Sequence, residues 1–145
     1  MTAVEADAIR KSIDVAVAPA QAFELFTERA STWWPFATHS VAGDAAVTAV
    51  FEPRVGGRVY ERATDGAEHD WGEITVWEPP HRFALAWTVD PSCAGTEVEV
   101  RFAAAGSTGT RVELEHRGWR DAARGLVDGY GSGWEVVLRA FAAGA

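Results

Sequence analysis

Hydrophobic and polar positions change period twice along the chain. Ile9, Ile13, Val15 and Val17 share one parity, and Arg10, Ser12 and Asp14 hold the other. That alternation predicts a half-buried strand over residues 9–17. Pro19 then stands where a first helical turn accepts a proline, and Ala22, Phe23 and Phe26 follow at helical spacing. A short helix near 19–27 is expected, and a second from Glu28 to Trp34, stopped by Pro35.

From about residue 45 to 116 the period is two. Val47, Ala49 and Phe51 alternate with smaller residues, Pro53 to Gly57 makes a turn, and Arg58 to Arg62 returns. Asp65-Gly66 turns again, and residues 69–77 read as a strand with Trp71, Glu73, Thr75 and Trp77 on one parity. Glu78-Pro79-Pro80-His81 has to leave the ladder, because neither proline donates a hydrogen bond. Phe83, Leu85 and Trp87 alternate next, then Thr96, Val98, Val100 and Phe102, then Val112, Leu114 and His116. Six strands with short turns argue for an antiparallel meander.

The C-terminal segment returns to helical period, with Val127, Tyr130, Trp134, Val137, Leu138 and Phe141 on one face. Glycines 125, 129, 131 and 133 each cost ~1 kcal/mol inside a helix. Ser132 and Glu135 also form a capping-box pattern. A short helix near 121–128 and a main helix near 132–143 are therefore expected. Six one-sided strands need a cover, and a helix of about 12 residues spans only roughly 18 Å. It shields part of such a sheet and leaves a concave surface walled by large side chains.

Composition narrows the classes. The chain has 145 residues and fits one domain over 1–145, with no linker or repeat. Its formal charge is −8, without a Lys/Arg cluster, which opposes a phosphate backbone, so no nucleic-acid partner is expected. No stretch approaches the ~20 apolar residues of a membrane span. The N-terminus does not read as a signal peptide, and Cys93 is the only cysteine, so the expected location is cytoplasmic. The chain carries seven Trp, seven Phe and two Tyr. These aromatics form either a heavy core or a cavity wall.

Several segments together carry a resemblance. They are Ala18-Pro19 to Phe26, Trp33-Trp34-Pro35, Phe51-Glu52-Pro53-Arg54-Val55-Gly56-Gly57, and Trp71-Gly72-Glu73-Ile74. Glu78 to Phe83, Trp87, Leu114 to Trp119, and Gly133-Trp134 to Leu138 complete the set. In this order they resemble the START-like, or SRPBCC, superfamily, and within it the heat-shock-protein ATPase activator homologue family. The resemblance implies an α+β helix-grip fold of order β-α-α-β6-α, a curved antiparallel sheet of about seven strands around a C-terminal helix. That superfamily includes lipid carriers, polyketide cyclases, plant ligand binders and co-chaperone domains, so fold alone does not select an activity.

Candidate site residues follow from the inward strand parity, the helix stripe and, for Trp33 and Trp34, a place where the helix pair meets the cavity mouth. Trp33, Trp34, Phe51, Tyr60, Trp71, Phe83, Leu85, Trp87, Val100, Leu114, His116, Tyr130 and Trp134 are expected to wall a ligand cavity. Trp33 and Trp34 are either a lid or a hydrophobic plug. His116 bonds a ligand carbonyl and exchanges protons, or anchors the Arg117-Gly118 turn. Glu73 is a buried acid or a solvated strand carboxylate. Tyr60, flanked by Arg58 and Arg62, marks a polar pocket end or an exposed charge ladder. Cys93 reads as incidental in a polar loop. The histidines 39, 69, 81 and 116 are scattered without metal-ligand spacing, and no phosphate loop or serine-nucleophile motif occurs. No metal or cofactor is expected.

Three functions stand against one another. The first is binding of a small hydrophobic ligand in an aromatic-lined cavity, with no assigned reaction. The second is a cyclase or aromatase that would draw on His116, Glu73 and Tyr60. The third, implied by the resemblance, is a module that docks a chaperone partner, and a homodimer stays open.

Overall fold

The meander pairs strand with chain neighbour, as short turns require. The structure is a computed structural model that describes residues 8–93, 95–119 and 126–145. Among them lie strands β1 (Ile9–Val15), β2 (Ala46–Phe51), β3 (Arg58–Ala63), β4 (Glu68–Glu78), β5 (Arg82–Trp87), β6 (Glu97–Ala105) and β7 (Gly109–Arg117). They form one sheet in the order β1-β7-β6-β5-β4-β3-β2, antiparallel throughout. Helix α1 (Pro19–Phe26) and helix α2 (Val127–Gly144) pack on the concave face. Only a single 3₁₀ turn, Ala30–Thr32, forms where a second short helix was expected.

Three bulges change which side chains face inward. In β2 the register slips between Ala46 and Thr48, which leaves Val47 48% exposed while Ala46 and Ala49 are buried. In β4 Trp71 is an extra residue opposite β3 and Thr75 is extra opposite β5. A bulge puts two residues against one, so strict alternation fails across it. Trp71, Gly72 and Ile74 are consequently buried, and Glu73 and Thr75 are exposed. The single parity expected for Trp71, Glu73, Thr75 and Trp77 does not hold. Gly72 is forced by closeness: a Cβ there would stand 2.1 Å from the Ala86 carbonyl oxygen.

The C-terminal segment is one continuous helix from Val127, so Ser132 caps nothing. Residues 121–125 of the short helix expected near 121–128 lie outside the described residues. Gly129, Gly131 and Gly133 disfavour the helix by roughly 3 kcal/mol in total. Burial of Trp134, Val137, Leu138 and Phe141 contributes roughly 6–12 kcal/mol. Packing wins, and the helix runs through.

The core is aromatic. Phe23 and Phe26 of α1 meet Phe83 and Phe102 at centroid distances of 5.2–6.0 Å. Phe141 of α2 sits 5.0 Å from Phe26 and 5.3 Å from Trp33. At the centre, between Phe51, Phe83, Leu85, Val100 and Leu114, the remaining void is only about 20 Å³, no more than a water fills. Phe83, Leu85, Val100 and Leu114 are buried in the core and Phe51 packs against it half-buried, so none of the five lines the pocket beside α2. Rings from α1 and α2 reach across the gap that a short helix alone would have left.

Candidate functional site

An aromatic pocket lies to one side, between the N-terminal half of α2, the strand ends at Trp71 and Trp87, and the segment 34–41. It is an open-mouthed pocket of about 390 Å³. From α2 and its cap come Leu126, Gly129, Tyr130, Gly133, Trp134 and Val137, spaced by three and four residues. That stripe is the helix face turned to the pocket. Two of its positions are glycine. A Cβ at Gly129 would meet nothing within 4 Å, and one at Gly133 would touch only the His39 ring at 3.5 Å. The missing side chains are thus part of the pocket's width.

Trp34 and Trp71 form the opposite wall, their rings 4.6 Å apart and inclined by 34°. Trp87 and Trp134 meet edge to face at 5.2 Å. No Asp, Glu, Lys or Arg is among the described lining residues. The polar groups that face the space belong to Thr38, His39, Ser40 and Tyr130.

The rim segment is fastened from both sides. The Trp34 indole N–H donates to the His39 carbonyl at 2.8 Å, and the His39 amide donates to the Pro35 carbonyl at 2.9 Å. Glu61, fully buried, accepts from the Val41 amide at 2.7 Å, the Ala42 amide at 2.8 Å and the Trp71 indole N–H at 2.7 Å. One carboxylate therefore ties the rim to a wall residue. Parity could have revealed Glu61: Val59 and Ala63 point inward, and Glu61 lies between them.

Behind Trp134 stands His116, with no exposed surface. An indole can only donate, so the Trp134 N–H bond to His116 Nδ1, at 3.1 Å, makes that nitrogen an acceptor. Nε2 then carries the proton and donates to Thr96 Oγ1 at 3.0 Å, and Thr96 donates to the Cys93 carbonyl at 2.8 Å. Burial pushes the imidazole down to about 3. His116 is a neutral scaffold beneath the pocket wall, which overturns its place as a pocket-facing acid or base. Its backbone carbonyl accepts from the Trp119 indole N–H at 3.1 Å across the Arg117-Gly118 turn, and the Trp119 ring covers it at 4.3 Å.

Tyr130 accepts from the Trp87 indole N–H at 3.1 Å and is hydrogen bonded to Cys93. Burial pushes its hydroxyl up to about 12. Burial also raises the Cys93 thiol, and Cys93 is fully buried beneath the site rather than loose in a polar loop.

The other expected positions separate. Trp34, Trp71, Trp87, Tyr130 and Trp134 come together at the pocket. Trp33 is a plug: its indole N–H donates to the Leu25 carbonyl at 2.8 Å and its ring packs on Phe26. Tyr60 lies on the opposite parity of β3 from Glu61, with the Arg58 guanidinium 4.0 Å and that of Arg62 5.7 Å from its ring centroid. It belongs to the outer charge ladder, because β3 turns Val59, Glu61 and Ala63 inward. Glu73 is the solvated alternative, displaced outward by the bulge. Neither reaches the pocket. His39, Glu61 and the two glycines are what the strand and helix patterns had missed.

Residues 16–144 match the model of the family described as Activator of Hsp90 ATPase homolog 1-like protein. The chain belongs to that family. Among solved structures it is similar to an anthrahydroquino-gamma-pyrone synthase, Txn09, complexed with SUM: 36% identity over 93% of this chain and 94% of that one, TM-score 0.61. The Aha1 dimer from Colwellia psychrerythraea superposes with TM-score 0.69 at 16% identity, over 93% and 92% of the two chains. PFC0360w, an HSP90 activator from Plasmodium falciparum, gives 0.55 at 22% identity over 78% and 74%. No curated protein matches the sequence significantly. The last two structures share the helix-grip fold with this member of the family. Among the described residues no helix is long and apolar enough to cross a membrane.

Proposed function

We propose that this protein binds a flat, multi-ring aromatic small molecule in the pocket beside α2. One observation carries the reading: an uncharged pocket of about 390 Å³ walled by four indoles and floored by two helix glycines. Small-molecule sites run to ~300–1,000 Å³ and are mostly apolar with a few converging polar groups. Indole faces stack on planar rings, and glycine lets such a ring approach the helix backbone. A fatty acid or phosphate would find no cation in the described wall.

A second reading, chemistry on the bound ring system, is favoured by the 36% identity to a pyrone synthase along nearly the whole chain. In closure of a fused pyrone of this class, a phenolic oxygen attacks a side-chain carbonyl carbon. The phenolic proton passes to a base, and loss of water completes the ring. The chaperone reading rests on likeness of fold at 16–22% identity, which does not carry a partner across.

Tryptophan fluorescence tests the binding. Alizarin, a hydroxyanthraquinone dye, should quench the wild-type protein saturably, because four of the seven tryptophans line the pocket. Gly129→Leu extends a side chain into space that is now empty and should abolish the saturable part while the protein stays folded by circular dichroism. Linear, unsaturable quenching in the wild type, or equal saturation in the variant, refutes the site.

A further inference from the structure

Four groups near the pocket are able to move a proton, and three of them are already engaged. His116 has both ring nitrogens committed, one to Trp134 and one to Thr96, and no exposed surface. The Tyr130 hydroxyl is held by Trp87 and Cys93. Glu61 lies behind the rim with both oxygens taken by amides and an indole.

His39 differs. Its Nδ1 is 2.7 Å from Thr38 Oγ1, and among the described residues its Nε2 makes no hydrogen bond. The Cδ2–Nε2 edge faces α2 at Gly133, 3.5–3.6 Å from where a Cβ would stand. A longer side chain at 133 would cover that edge, and glycine leaves it open to the pocket. The backbone on either side is fixed by Trp34, Pro35 and the Glu61 clamp. An imidazole held this way at a pocket rim, one nitrogen hydrogen bonded and the other without a partner among the described residues, suits a general base.

We propose that His39 is the proton-accepting group of this pocket, and that its substrate class is a phenol-bearing aromatic whose hydroxyl meets Nε2. The inference rests on the ligand reading above. In the tautomer whose Nδ1–H donates to Thr38 Oγ1, Nε2 holds the lone pair. The phenolic O–H bond breaks, its proton goes to Nε2, and the electron pair stays on oxygen. The products are a phenolate and an imidazolium paired in an apolar site, with no oxidant or reductant needed. The phenolate is the nucleophile that an oxygen-ring closure requires.

Alizarin reports on this directly, since its neutral and phenolate forms absorb at different visible wavelengths. At a pH where the free dye is neutral, binding to the wild type should move the absorption to the phenolate band. His39→Leu and His39→Gln should still quench tryptophan saturably, with affinity lowered about 10- to 150-fold, the loss of one charge-assisted hydrogen bond. Their bound dye should keep the neutral band. Gly133→Val, which covers the imidazole edge, should behave like them. A phenolate band in both His39 variants, or a neutral band in the wild type, overturns the role of His39 and leaves the pocket standing. Absence of saturable quenching in the wild type overturns the pocket, and this proposal with it.

Discussion

His116 adds a buried ring's own contribution to the acid stability of this fold. Its folded-state value is pushed to about 3 by burial, from an ordinary 6.5. The Trp134 N–H already occupies Nδ1, so a second proton there would set two N–H groups face to face. Between these two values the unfolded chain binds a proton that the folded chain does not. Stability is therefore full above about pH 6.5 and falls as pH drops toward 3, by about 1.4 kcal/mol per pH unit. Down to about pH 4 the loss is roughly 3 kcal/mol, a large part of the ~5–15 kcal/mol a domain usually has. Exposed carboxylates also titrate in this range, so the comparison must be internal. His116→Gln keeps an acceptor for Trp134 and a donor for Thr96 but cannot charge. Urea unfolding at several pH values should give a wild-type curve that falls away from the variant's below about pH 6.5, by the amount above. Parallel curves would refute the buried, neutral imidazole.

Three further outcomes follow from the same geometry. Glu61→Gln turns one of its two oxygens into a donor facing the Ala42 amide, at a cost of about 1–3 kcal/mol. Hydrogen exchange should show faster protection loss at Val41 and Ala42 than at the β6–β7 ladder, and uniform change would contradict the clamp. Gly129→Ala meets no neighbour and should gain up to ~1 kcal/mol of helix stability, raising Tm by about 2–4 °C in a thermal melt; a lower Tm would mean that the space is not open. Tyr60→Phe and Glu73→Gln, both on the outer face, should leave alizarin titrations unchanged, whereas a loss of affinity would return them to the site.

The sequence by itself determined the frame. Alternation over Val98–Phe102 and Val112–His116, and the stripe from Tyr130 to Phe141, were enough for an antiparallel sheet gripping a terminal helix, because burial repeats at the period of each backbone. The same patterns set Trp87, Tyr130 and Trp134 on inward faces, and these line the pocket. Tertiary structure decided where space remains. Bulges at Trp71 and Thr75 moved Glu73 outward, since one extra residue reverses every later side chain. Long-range ring packing by Phe23, Phe26 and Phe141 filled the centre, and the uncharged aromatic pocket lies beside α2. His39 sits in a segment without period, and only the fastening of that segment by Trp34 and Glu61 brings its ring to the pocket. A local pattern records which way a side chain faces, whereas the shape of a cavity depends on how distant side chains share a volume.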